Sequence, residues 1–141
     1  MKTKKYYPSE GEKEFIVKQL ADAVKDRSEV VFAYVYGSFT EEADVPVHDI
    51  DVGLYVTGIN KETATRYSLD MAYALSKKAG MPVDVRVLNF APIPFLYHVI
   101  RGSAFFVRDE DLMSQVVESA VRRYLDLKPF IRRGIKEAFA A

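Results

Sequence analysis

The stretch VVFAYVYGSFTEEADVPVHDIDVGLYV, Val30 to Val56, decides the reading of this chain. Val30 to Tyr36 is an unbroken apolar and aromatic run, the pattern of a central strand covered on both faces. It stops at Gly37-Ser38, which predicts a strand-to-loop or strand-to-helix turn. Residues 39–48 are mixed and contain Pro46, so a short helix followed by a loop is expected there. Ile50 to Val56 reads as a second strand, closed by Thr57-Gly58. Asp49 and Asp51 stand at its start, two residues apart. Side chains at i and i+2 of a strand share a face, so the two carboxylates lie side by side while Ile50 and Val52 point into the core. Adjacent anions repel unless a cation lies between them. Magnesium suits the pair, because it takes hard oxygen ligands and commonly uses one or two carboxylates with substrate phosphates.

Downstream, Asn60 is positioned to cap a helix from about Lys61 to Lys78, with Ala64, Tyr67, Met71 and Leu75 inward and Gly80 ending it. Pro82 leads a third strand, Val83 to Leu88, which carries Asp84 between two valines. If this strand lies beside the second, Asp84 joins the other two carboxylates. Three such groups can hold two metals about 3.5–4 Å apart for in-line displacement at phosphorus. Asp84 can instead, or also, take the proton of an attacking hydroxyl. Gly37 lets backbone approach a ligand closely, and a helix starting there would offer free amides and its dipole to an anion. The Ser38 hydroxyl adds one donor. Taken singly, each feature is ordinary: a turn, a solvated Asp-x-Asp, an edge aspartate. Their weight comes from the order in which they sit at strand ends.

Upstream, Ser9 and Glu12 form a capping-box pattern for a helix from Glu10 to Lys25, buried along Ile16, Leu20, Ala23 and Val24. Toward the C-terminus, Phe90 to Pro94 is a break, Phe95 to Ile100 a short helix and Ala104 to Val107 a fourth strand. From about Leu112 the chain is helical. Pro129 is expected to end or kink that helix before a last segment from Phe130 to Phe139. The succession indicates an α/β or α+β fold with a small sheet, organised as one domain over residues 1–141 with a helical C-terminal segment from about 112.

With 141 residues and 49 % apolar composition, the chain can bury a real core. It has no run long enough for a membrane span, no signal-peptide pattern and no cysteine, so the expected location is the cytoplasm. A formal net charge of zero argues against general nucleic-acid binding. The charge is segregated, however: Arg122, Arg123, Lys128, Arg132, Arg133 and Lys136 make the tail basic beside the apolar Ile131, Ile135 and Phe139. That pattern fits a solvated helix packed on its own sheet, or a docking surface for an acidic partner or for RNA carried by that partner. Tyr34, Tyr36, Tyr55 and Tyr97 fit core pairs better than base-stacking platforms.

The sequence Gly37-Ser38, then Asp49-Ile50-Asp51 in GSFTEEADVPVHDIDVGLYV, then Asp84 in PVDVRVL, resembles the polymerase-β-like nucleotidyltransferase superfamily over roughly Glu10 to Asp109. Its size is similar to the minimal nucleotidyltransferases of the MNT or MntA antitoxin type. The resemblance implies a small mixed sheet flanked by helices. It implies magnesium (one or two ions) on Asp49, Asp51 and Asp84, with ATP phosphates on Gly37 and Ser38. It also implies transfer of AMP from ATP to a hydroxyl, foremost a tyrosine of a partner HEPN-domain toxin. The alternatives are a small-molecule nucleotidyltransferase, such as one acting on an aminoglycoside, and a non-catalytic antitoxin that occludes its toxin. A homo-oligomer is compatible with each. Two departures stand out: Glu41 and Glu42 where many relatives carry Arg-Gly, and His48 where a small polar residue is common.

Overall fold

The computed structural model describes residues 5–41 and 45–140. Their order is α1 (Glu10–Lys25), β1 (Val30–Tyr36), a 3-10 turn (Gly37–Thr40), β2 (Ile50–Val56), α2 (Lys61–Ala79), β3 (Val83–Val87), α3 (Ile93–Ile100), β4 (Ser103–Val107) and α4 (Glu110–Ala138). The strands form one mixed sheet in the order β3-β2-β1-β4. β1 runs antiparallel to both neighbours, and β2 and β3 are parallel, joined by α2.

β1 is central, and all seven of its residues are buried. Its unbroken apolar run is explained by the cover on both faces. On one face Ala33, Val35, Ile50, Val52, Leu54 and Val85 pack with Leu20 and Val24 of α1 and with Met71 and Leu75 of α2. On the other, Phe32, Tyr34 and Tyr36 pack with Leu96 and Val99 of α3 and Ala120 of α4. The aromatics are used in this packing: Phe32 stacks on Tyr55 and Tyr97 on Tyr124, while Tyr34 and Tyr36 are buried.

The local signals act where they stand. Ser9 and Glu12 make the reciprocal capping box of α1. The Asn60 side chain accepts from the Thr63 amide at 3.0 Å, and Gly80 ends α2 in the left-handed region with φ 72°. α3 begins two residues before the expected Phe95, with Pro94 in its first turn, where a missing N–H costs nothing.

Three expectations are corrected. The short helix after β1 is only the four-residue 3-10 turn. Pro129 does not end the last helix: α4 runs through it as one element. The Leu125 carbonyl that would have accepted from residue 129 belongs to an exposed residue, so water can replace the lost bond. Nor is the tail packed on its own sheet. Ala120 is the only α4 residue counted as buried among those described, and Phe130, Ile135 and Phe139 are exposed. Among the described residues no helix is long and apolar enough to cross a membrane.

Candidate active site

The turn after β1 needs glycine for two independent reasons. Gly37 has φ 76°, a conformation that side chains other than glycine's tolerate poorly. A Cβ built on it would sit 2.6 Å from Oδ2 of Asp51. The Gly37 backbone therefore lies directly against the Asp51 carboxylate. Ser38 follows inside the 3-10 turn, which is closed by Thr40 Oγ1 donating to the Gly37 carbonyl at 2.8 Å and by the Glu41 amide donating to the Ser38 carbonyl at 3.1 Å. A turn this short has little macrodipole, so its attraction for an anion rests on individual N–H groups.

Asp51 is the second residue of β2. It pairs with Tyr36 on β1 and with Asp84 on β3, in register with both. Paired residues on adjacent strands face the same side, which puts the two carboxylates next to each other on the α3 face. Ile50 and Val52 are fully buried on the opposite face. Asp49 precedes β2 in an exposed bend. It is still near enough to act on Asp51, whose pKa is raised by its half-burial first, then by Asp49 and Asp84, against smaller lowering effects of Arg86 and His98. The Tyr36 hydroxyl is likewise pushed up by burial and then by Asp51 and Asp84.

Asp84 is half exposed and lies 3.6 Å from Arg86 Nε. Among the described residues, no three carboxylate or imidazole side chains converge tightly enough to form a metal centre. The chemistry of the donors nevertheless fits magnesium. They are all carboxylate oxygens, and the rise in the Asp51 pKa, set first by burial, also carries a repulsion from Asp49 and Asp84 that a cation would relieve.

Several neighbours of the site were not anticipated. Arg86 lies two residues past Asp84 on the same strand face, a placement legible in the D-x-R pattern. His98 comes from α3, its ring 5.6 Å from that of Tyr36. No local pattern marks it, because only the packing of α3 across the sheet brings it there. Lys13 is buried, and its Nζ donates to the Glu41 carbonyl at 2.7 Å, anchoring the far end of the glycine-serine turn to α1. Glu41 and His48 are exposed, and Glu42 lies outside the described residues. A cleft of about 290 Å³ lined by Lys61, Thr65, Arg86, Phe90, Pro92 and Phe95 adjoins the carboxylates through Arg86.

The fold is similar to that of several solved toxin–antitoxin structures. One contains a tri-AMPylated Shewanella oneidensis HEPN toxin in complex with MNT antitoxin. It matches with a TM-score of 0.69 at 14 % identity, covering 91 % of this chain and 99 % of that one. Another, the toxin–antitoxin MntA-HepT, matches with a TM-score of 0.64 at 16 % identity, over 94 % of this chain and 100 % of that one. A third, a toxin–antitoxin with AMP-PNP, matches with a TM-score of 0.61 at 17 % identity, over 91 % and 98 %. At these identities the likeness concerns the fold. No curated protein sequence matches this chain. The profile of the polymerase beta, nucleotidyltransferase family matches residues 18–111, from within α1 through β4 to the start of α4. Two thirds of the chain, including every strand and all five candidate residues, thus falls within that profile, and the chain belongs to the polymerase beta nucleotidyltransferase family.

Proposed function

We propose that this chain is a magnesium-dependent nucleotidyltransferase that moves AMP from ATP to a tyrosine hydroxyl of a HEPN-domain toxin, and so acts as its antitoxin in the cytoplasm. The observation that carries the reading is the juxtaposition of Asp51 and Asp84 on neighbouring strands, with the Gly37 backbone against the Asp51 carboxylate. Family membership supports the reaction class. The likeness to MNT antitoxins over nearly the full length of both chains supports the acceptor, since one of those structures holds an AMPylated HEPN toxin.

In this reading Gly37 and Ser38 offer backbone N–H groups and one hydroxyl to the phosphates of ATP. The acceptor oxygen bonds to the α-phosphorus, the bond from that phosphorus to the bridging oxygen breaks, and pyrophosphate leaves. Asp84, half exposed and reachable from solvent, takes the proton of the acceptor hydroxyl. Magnesium on Asp49 and Asp51, with Asp84 as a further ligand, would neutralise phosphate charge and lower the pKa of the acceptor hydroxyl. The adenosine extends along the cleft beyond Arg86, on the side of the carboxylates away from Gly37.

A small-molecule acceptor is the less favoured reading, because the solved structures matched over nearly the full length of both chains are of antitoxins with their toxins. A purely occluding antitoxin would have no use for mutually repelling carboxylates held in register.

The test is incubation with α-labelled ATP, magnesium and the product of the neighbouring gene. Label should pass to a tyrosine of that protein, and Asp49→Asn and Asp51→Asn should each abolish transfer while the fold persists. Transfer near the wild-type rate in either variant would remove the metal assignment.

A further inference from the structure

The apolar stripe of α4 continues past the body of the protein. At helical spacing it reads Met113, Val116, Ala120, Tyr124, Leu127, Ile131 and Ile135, a 3-4-4-3-4-4 series that keeps one face. The first three pack against the sheet and α3, and Tyr124 stacks on Tyr97 of α3 with ring centroids 3.8 Å apart. Beyond Tyr124 the same face opens toward solvent: Leu127 is 39 % and Ile135 57 % exposed, with Ile131 between them partly covered.

The charge changes at the same place. Residues 110–120 carry Glu110, Asp111 and Glu118 with no basic residue, whereas residues 121–140 hold six basic and two acidic side chains. The helix macrodipole favours cations only in the last turn, so it accounts for Lys136 and not for Arg122 to Arg133. At about 100° per residue, Lys128 and Arg132 flank one side of the exposed stripe and Arg123 the other. A half-helix with Pro129 inside it and no buried residue of its own is a poor helix in water, which gives a covering partner something to stabilise.

From this we infer that the second half of α4, centred on Leu127, Ile131 and Ile135, is the docking surface for the acceptor protein, which meets it with an apolar strip rimmed by acidic side chains. The inference rests on the antitoxin reading and names its interface. A second copy is the poorer occupant, because it would set one basic rim against another. The location also serves the chemistry. Tyr124 touches Tyr97, and the next residue on α3, His98, packs on Tyr36 beside Asp51. A partner seated past Tyr124 is therefore one helix away from the carboxylates.

The test uses the full chain and the product of the neighbouring gene, the HEPN protein of the proposed function. Binding is measured by calorimetry for wild type, for Ile131→Glu with Ile135→Glu, and for Lys128→Glu with Arg132→Glu. None of these side chains belongs to either apolar core cluster, so melting temperatures should stay close to the wild-type value. The apolar pair should weaken binding about 100-fold or more, as expected for central anchors. The charge pair should weaken it about tenfold and flatten its salt dependence. AMP transfer is scored separately. Tight binding and normal transfer by the apolar variant would overturn the interface and leave the antitoxin reading standing. Wild-type binding without AMP transfer would overturn the reading and leave the interface. A wild-type chain that does not bind the HEPN protein overturns the inference. So does dimerisation of the chain alone, or its binding to phosphatidylserine vesicles, if either is lost in the apolar variant.

Discussion

Asp51 shows how one residue can serve a site at the expense of the fold. Its carboxylate is half buried and faces two others, so its pKa stands above the ordinary 3.8. A carboxyl whose pKa is raised by folding favours the folded state while protonated, and that contribution is lost as pH rises through the folded pKa. In a chelator-treated protein, Asp51→Asn should therefore raise the melting temperature at pH 7. The gain should vanish below the ordinary pKa, where the wild-type group is protonated in both states. Paired thermal melts at the two pH values check this, and an equal gain at both would place its origin elsewhere than in charge. Gly37 is bound to the same carboxylate sterically. Gly37→Ala should cost about 1–3 kcal/mol from the backbone conformation alone, before any displacement of Asp51. On the proposed function, Ser38→Ala should remove one hydrogen bond to substrate, on the order of 1 kcal/mol, and raise the KM for ATP modestly. Equal, mild effects of both on nucleotide use would mean that the turn does not touch phosphate.

At the scale of elements, the 3-10 turn and α4 carry the most information. Because the turn lacks a macrodipole of consequence, phosphate affinity at Gly37-Ser38 should depend on how firmly the turn is held. Lys13 holds its far end through the Glu41 carbonyl. In α4, Pro129 withholds one backbone donor, and proline in a helix interior costs about 3 kcal/mol relative to alanine. Pro129→Ala should therefore increase the helical circular-dichroism signal. It should move the global melting temperature little, since no residue of the helix beyond Tyr124 belongs to either apolar core cluster. A melting shift as large as the full helix penalty would show that this half is coupled to the core.

At the scale of the molecule, the proposed site depends on two strands joined by a helical crossover. Asp51 and Asp84 are 33 positions apart in the chain, and α2 must pack correctly for them to come into register. Asp84→Asn separates the roles open to Asp84. If it acts both as ligand and as base, single-turnover transfer should fall and titration of magnesium-ATP should show weaker binding. Loss of rate alone would leave it as base only. Unchanged rate and binding would make it structural and remove it from the site.

Much of this was legible in the chain itself, because the signals are local. Ser9 with Glu12, Asn60 and Gly80 bound helices through hydrogen bonds within a few residues. The apolar run of β1 declares a strand covered on both faces, and the alternation of Asp51 with the buried Ile50 and Val52 puts its carboxylate on the opposite face. Whatever depended on an element's surroundings was not legible. Strand periodicity says nothing of which strand lies next, so the meeting of Asp51 with Asp84 stood as a condition until the sheet order met it. His98 and Lys13 reach the site from helices whose own patterns concern burial, so only the packing of α3 and α1 on the sheet brings them in. Pro129 reads as a stop because its cost is local, but the helix continues because the exposed end can give up one hydrogen bond to water.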